Sequence, residues 1–562
     1  MRTYSALAGL ALVALLWAGG AQGATLLVPN QYPEIQDAMD VAVAGDVIVV
    51  APGVYMPDSS NMVNPPTDST WCVVIFKPGV TVRGYGMGQT IIDGSGFARG
   101  FHIQDASNVR IEGLTVRNCY NGWNDVYGAG VFFRNSSGNL LNVEMIGNHD
   151  GGLTCTDASS PRVDWCVMDS DTSKSGGGLY VVDTLSAPYL YGCRITNNRA
   201  PFAAGAHVRG KATLDRCIIR GNRTTGEGTV LGGGILVIDG ADPLITNCDI
   251  MDNVCSGNGA GVCFVGEGTR GTLEDCMVLD NLSTGVEARG AGISVESQSD
   301  ATVRGTVVAR NYANGEFSDG GGIYVQFASA TIENCTVDAN GSSGTYAEAG
   351  NLGIMTSLFV PGVVSVTHSI FSHSPDGKGV YCDPGSTGSD PTIACCDIYG
   401  NAGGDAPCGV GDDNFSADPL LCDPANDNFY LSPISPCGPG HHPGGPTTCG
   451  GLLIGAWRAG CGTDVEEVPP VLVRLLGSRP NPFERETTIA LTLPEAGSVS
   501  LDVVDPAGRS VALLHRGPLG AGEHRFTWDG RGPDGGRAGS GVFFARVRAG
   551  GVTDAIRMLR LQ

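Results

Sequence analysis

The chain has 562 residues, of which 42% are hydrophobic, 7% aromatic and 85 are Gly, enough apolar content for more than one core in a turn-rich β composition. With 57 acidic against 34 basic residues it carries a formal charge of −23 at pH 7. That balance argues against a nucleic-acid backbone or an anionic membrane surface as partner, and it repels acidic polymers unless Ca2+ or a local basic patch bridges them.

The first 23 residues read as an export signal: Arg2, an apolar run from Leu7 to Trp17, and Ala21-Gln22-Gly23 ahead of a cleavage point. That run is too short for a membrane span, and no later stretch could span. A mature chain without a transmembrane segment is therefore expected, secreted or held at the cell surface. Next come Ile35-Gln36-Asp37-Ala38-Met39, a short amphipathic helix, and Gly45 to Tyr55, a first strand region.

From Leu114 to Asn401 one phrase recurs every 23 to 33 residues: a small residue or Cys, a β-branched residue two positions on, and Asn three further. It reads Cys193/Ile195/Asn198, Cys217/Ile219/Asn222, Cys248/Ile250/Asn253, Cys276/Val278/Asn281, Thr306/Val308/Asn311, Cys335/Val337/Asn340 and Cys396/Ile398/Asn401. A second ladder interlocks with it, a Gly-x-Gly beginning at Gly128, Gly176, Gly232, Gly259, Gly290 and Gly320, each followed by Val, Leu or Ile. Units of this length, rich in Gly and β-branched residues, are too short for helical pairs and fit stacked parallel β-coils. Equivalent residues then lie about 4.8 Å apart and form interior columns, with Asn suited to a left-handed corner and to bonding its neighbours along the stack.

These features resemble the right-handed parallel β-helix proteins of the pectin-lyase-like superfamily, over residues 24–462. The resemblance implies an all-β solenoid whose open N-terminal end is covered by the short helix. It does not fix the chemistry, because one fold hosts many functions.

If Ile235 and Val237 point inward, alternation turns the intervening positions outward. Coil by coil the first outward position holds Phe132, Thr154, Tyr180, His207, Leu236, Cys263, Ser294 and Tyr324. The next holds Arg134, Thr156, Val182, Arg209, Ile238, Val265, Glu296 and Gln326. Arg134, Tyr180, His207, Arg209, Glu296 and Tyr324 are the candidate substrate-binding residues, able to stack on a sugar and bond its hydroxyl or carboxylate groups. A β-eliminating lyase or an epimerase would draw its base from His207 or Arg209 and hold a Ca2+ cofactor on Asp183 and Asp239. Solvated turn acids are the plainer account of both Asp. The outward apolar patch Leu236, Ile238, Cys263 and Val265 needs a cover, and an exposed patch would favour a structural surface protein with protein partners.

Nineteen Cys in an exported chain suggest disulfides. Seven of them, Cys166, Cys193, Cys217, Cys248, Cys276, Cys335 and Cys396, hold one repeat position and are expected to be buried packing thiols. Disulfide candidates are Cys382, Cys395, Cys408, Cys422, Cys437, Cys449 and Cys461, where the repeat fades, with pairing left open.

An acidic, proline-bearing linker follows at 463–472, and then a small domain, 473–562, whose runs Thr488–Leu493, Val499–Val504, His524–Trp528 and Val542–Val547 have a β-sandwich pattern. On Pro480-Asn-Pro-Phe483, Asp505-Pro-Ala-Gly-Arg509, Trp528-Asp-Gly530 and Ser540-Gly-Val542 this segment resembles the FlgD-like Ig fold and the C-terminal sorting domains of type IX secretion cargo. That implies contact with export machinery or the cell envelope. Taken together, the expectation is an exported β-helix protein that binds polysaccharide or a cell-surface glycan, as an adhesin or carbohydrate-binding protein. A polysaccharide lyase or epimerase acting on uronate-containing glycans is the alternative.

Overall fold

The computed structural model describes residues 23–57, 71–120, 128–226, 228, 230–359, 362–386 and 388–461, then 474–481, 483, 485–493, 497–505, 509–520, 522–532, 536–549 and 552–561. The export signal up to residue 22 and the linker 463–472 lie outside these residues. The chain divides into two compact units, up to Cys461 and from Gly462 onward. No helix among the described residues is long and apolar enough to cross a membrane.

The first unit is a parallel β-helix. One coil shows the pattern: Ile235–Ile238, Leu244–Thr246, Asp249–Met251 and Val254–Cys255 follow one another and then pair in parallel with their equivalents one coil on. Stacking these strands builds a 12-stranded sheet, a 25-stranded sheet in which each coil contributes two strands around a corner, and a six-stranded sheet. The β-branched residues of the repeat, from Ile195 to Ile398, form a column with no solvent exposure. At the open end, the helix Ile35–Val41 buries Ile35, Ala38 and Met39 against the first coils, removing apolar surface that a solenoid would otherwise leave wet.

The repeat's Asn residues lie inside, and the left-handed corner expected on them falls one position earlier. The left-handed residue is the one before: Asn197, Gly221, Asp252, Asp280, Arg310, Ala339 and Gly400 all have positive φ. That turn carries each Asn inward, where its Nδ2 donates to a carbonyl of the coil before and to the Oδ1 of the next Asn. Asn253, for example, donates to Ile219 O at 2.9 Å and to Asn281 Oδ1 at 3.0 Å, while its own Oδ1 accepts from Asn222 N and Nδ2 at 3.0 and 2.9 Å. The ladder runs from Asn148 through Asn340 to Asn401 with every buried amide satisfied by its neighbours. One rung is an acid. Asp171 Oδ1 accepts from Asn148, but Oδ2, standing where an amide would donate, has no partner. Burial pushes the Asp171 pKa well above the usual carboxylate range, as expected of a charge with nothing to compensate it.

The Cys column does more than fill space. The backbone N–H of Cys217 donates to Cys248 Sγ at 3.3 Å and that of Cys248 to Cys276 Sγ at 3.4 Å. Where the thiol is missing, Thr306 Oγ1 accepts from Cys276 N at 3.3 Å and Ser369 Oγ from Cys335 N at 3.1 Å. A small side chain carrying an acceptor satisfies the corner N–H, which Ala could not do. All seven column residues keep buried thiols, and burial pushes Cys335 and Cys396 up to about 12.

Beyond the last coil the chain folds back along the outside of the 25-stranded sheet. Phe429 and Trp457 pack on Leu279, Val307 and Ala309, and Leu431 and Ile454 on Ile370. Arg310 ties this strap down through Asp427 at 2.6 Å. Three disulfides close it: Cys382–Cys408, Cys395–Cys449 and Cys422–Cys461. Cys437, the seventh candidate, forms none; it is a buried thiol 3.1 Å from Asp397 Oδ2, and burial, then Asp397, push its pKa well up.

The second unit is a small antiparallel β-sandwich. Arg474–Arg479, Thr487–Leu493 and Gly522–Trp528 form one sheet; Ser510–Leu519, Gly497–Val504, Gly541–Ala549 and Val552–Arg560 form the other. Phe483, Leu491, Leu501, Trp528 and Val547 fill its core.

Candidate functional site

The outward register of the 12-stranded sheet is the one alternation dictates. Phe132 pairs with Thr154, Thr154 with Tyr180, Tyr180 with His207, His207 with Leu236, and so on to Tyr324. Facing outward is not the same as being exposed. Tyr180, His207, Leu236, Cys263, Ser294 and Tyr324 are all buried, none more than 6% exposed.

The cover comes from the Gly-x-Gly ladder. Its first Gly has positive φ at 176, 232, 259, 290 and 320, folding the preceding residue back over the strand that follows. A Cβ on Gly232 would sit 2.6 Å from Leu236 Cβ, and one on Gly259 at 2.6 Å from Cys263 Cβ, so Gly is required at these two positions, while Ala203 fills the same place in its coil at φ 50°. Ser175 then reaches His207, with Oγ 2.6 Å from Nδ1. Leu231 and Ala203 cover Leu236 and Cys263, so the apolar patch is roofed by the chain itself. The Arg289 guanidinium stands 5.7 Å from the centroid of the Tyr324 ring. These roofing residues were missed by sequence reasoning; the signal was the position immediately before each Gly-x-Gly.

His207 stacks on Tyr180 at 4.8 Å. Its Nε2 has no hydrogen-bond partner among the described residues, and burial, then the neighbouring Arg209, lower its pKa to about 3. An imidazole this weakly basic and this covered is poorly matched to general-base work near pH 7. Glu296 is likewise buried, bonded by the Ser294 hydroxyl and raised by burial. Tyr324 is raised by burial as well.

The second outward row is accessible at Arg134 and Arg209. Arg134 pairs with Asp157 at 2.8 Å and Arg209 with Asp239 at 2.9 Å, and all four side chains are 37 to 52% exposed. The Ca2+ candidates are otherwise engaged. Asp183 accepts from Leu185 N, Ser186 N and Ser186 Oγ, a turn-closing role, and Asp239 serves Arg209. The one metal-like grouping among the described residues, Cys395, Asp413 and Cys449, contains the Cys395–Cys449 disulfide, which removes both thiolates as ligands.

Residues 72–222 and 186–357, together just over half of the chain, match the family model for a right-handed β-helix region, and residues 481–551 match that for the FlgD Ig-like domain. No curated protein matches the sequence. Among solved structures, the A-module of the mannuronan C-5 epimerase AlgE6 of Azotobacter vinelandii is 16% identical, covering 68% of this chain and 93% of its own, with a TM-score of 0.34. Pectate lyase Pel9A is 11% identical, with 75% and 90% covered and a TM-score of 0.30. The enzymatically active domain of tailspike protein 4 of bacteriophage CBA120 is 10% identical, with 91% and 63% covered and a TM-score of 0.24.

Proposed function

This chain belongs to the right-handed β-helix family, and we propose that it works as an exported, non-catalytic scaffold that binds polysaccharide through side chains held at coil spacing on its surface. The observation that carries this reading is the accessible row beside the buried one. Arg134 and Arg209, three coils apart at about 4.8 Å per coil, each present a guanidinium beside an exposed carboxylate. Such pairs offer donors and acceptors together, which is what a hydroxyl-bearing chain lying along the axis requires. The three disulfides support an oxidising, extracellular setting. The FlgD-like module is assigned attachment to export machinery or the envelope.

Binding is preferred to catalysis because His207 is covered and weakly basic, and because Arg209, the other candidate base, is a guanidinium that stays protonated and is paired with Asp239. The test is calorimetric titration of the full chain with a panel of neutral and uronate oligosaccharides. The Arg134→Ala/Arg209→Ala double variant is expected to lose about tenfold or more in affinity for at least one of them. Unchanged affinity across the panel would refute the assignment of this row.

A further inference from the structure

We propose that the outer face of the 25-stranded sheet carries a separate stacking platform for a neutral pyranose ring, built by Trp165, Tyr189 and Tyr191. The proposal rests on the glycan-binding reading above and gives it a second surface. Parallel pairing lays Arg162–Asp164, Tyr189–Tyr191 and Thr213–Asp215 side by side, with Arg162 next to Tyr189 and Asp164, Tyr191 and Asp215 in one row. Val163, Leu190 and Leu214 fill the core, so the flanking side chains face outward. Unlike Tyr180 and His207, these three rings remain partly exposed.

The rings are held in place. The Arg162 guanidinium lies 4.7 Å from the Tyr189 centroid, and its Nε bonds Asp164 Oδ2 at 2.8 Å. The Tyr189 hydroxyl donates to Asp215 Oδ2 at 3.0 Å, and Trp165 meets Tyr191 edge to face at 5.2 Å. Asp164 Oδ1 and Asp215 Oδ1 are buried without a hydrogen-bond partner, so the one-fifth exposure of each side chain leaves only the Oδ2 edge, already engaged by Arg162 and by the Tyr189 hydroxyl, within reach of a ligand.

Trp165 is not a choice the fold asks for. It occupies the left-handed corner, φ 57°, that other coils fill with Asn142, Gly192, Arg216, Asn247, Asp275, Gly305, Asn334, His368 or Cys395, most of them residues that adopt this conformation readily. Its six-membered ring sits 2.5 Å from where a Cβ on Gly192 would be, so the Gly of the next coil makes room for the indole. A bulky ring in an unfavourable conformation, with space cleared for it, points to a contact outside the coil.

The ligand class follows from the charges. Arg162 and Arg216 balance Asp164 and Asp215, so the patch has no preference for a charged sugar. Aromatic faces take the C–H face of a pyranose, while the acids accept from its hydroxyls and the guanidinium groups donate.

The experiment titrates the full chain with cellohexaose, mannohexaose and maltohexaose, and with trigalacturonate as the charged comparator, by calorimetry and tryptophan fluorescence. Trp165→Asn removes the ring and suits the corner, so it keeps or raises thermal stability; Tyr191→Ala provides an independent variant. We expect at least one neutral hexasaccharide to bind, with about tenfold or greater loss in both variants and little change in Arg134→Ala/Arg209→Ala. Neutral binding that survives both substitutions overturns the platform, as does failure of all three neutral oligosaccharides. If trigalacturonate alone binds and is lost in the Arg134/Arg209 variant, the scaffold function stands and the platform falls. No binding of any sugar overturns both.

Discussion

Two outer faces of the same solenoid, the row at Tyr180 and His207 and the patch at Tyr189 and Tyr191, arise from the same strand alternation and end up in opposite environments. The first is roofed because a left-handed residue, Gly176 ahead of Tyr180 and Ala203 ahead of His207, turns the chain before each strand and brings the neighbouring residues over the row. The second follows no such turn and remains partly open. Alternation decides which way a side chain points; the segment before the strand decides whether anything can reach it. A buried His207 and a reachable Arg209 two residues on show how narrow that difference is.

The largest effect should come from breaking what both faces share. Asn253→Ala removes one ladder rung, leaving the backbone N–H of Asn222 without its acceptor and taking one donor each from Asn281 Oδ1 and the carbonyl of Ile219. A loss on the order of 3–5 kcal/mol is expected, measured as a fall in denaturant midpoint. Next, Gly259→Ala attacks the roof alone. With φ at 64° and a Cβ 2.6 Å from that of Cys263, it should cost about 1–3 kcal/mol and raise the labelling rate of Cys263, which is fully buried in the native chain. Unchanged labelling would mean that the Gly turn is not what covers the row.

Asp171→Asn should stabilise the interior, by about 1–3 kcal/mol at neutral pH, because an amide completes the bonds that Oδ2 leaves open. The sign with pH follows from the raised folded-state pKa. Below about pH 4 both states hold the proton and the acid costs little; above it the unfolded chain ionises and the native state does not follow. The variant's advantage should therefore grow from pH 4 to pH 8, and a constant or shrinking advantage would contradict the account of this rung.

The smallest signal is a near-null one. With its pKa depressed to about 3, the His207 ring should show no titration by NMR between pH 5 and 8. Its contribution to stability should be intact above about pH 6.5 and fall away as pH drops toward 3, since only the unfolded chain gains the proton over that window. A midpoint near 6.5 would mean that the row is open after all.

The fold was legible because stacking forces equivalent residues into register, so Cys193 to Cys396 and Asn198 to Asn401 had to recur in sequence. What lay one residue away was harder to read. The left-handed corner belongs to Asn197, Gly221 or Arg310, which share no chemistry, whereas the Asn that follows recurs because its side-chain amide bonds the next Asn along the stack as well as a backbone carbonyl. The roof was invisible for the same reason: Ser175, Leu231, Asn258, Arg289 and Asp319 differ from coil to coil and share only their place before a Gly. Of the candidate site residues, Arg134 and Arg209 are reachable while Tyr180, His207, Glu296 and Tyr324 are not. The region of the disulfides was legible from the fading repeat, but Cys437 was set apart by Asp397, a contact 40 residues distant in sequence.

The most direct test of the central claim is to incubate the full chain with neutral and uronate polysaccharides, with and without Ca2+, following binding and the release of unsaturated uronate products together. The account predicts saturable binding, weakened in Arg134→Ala/Arg209→Ala, with no product at any Ca2+ concentration. Product formation abolished by Arg209→Ala would contradict it and make the chain a lyase.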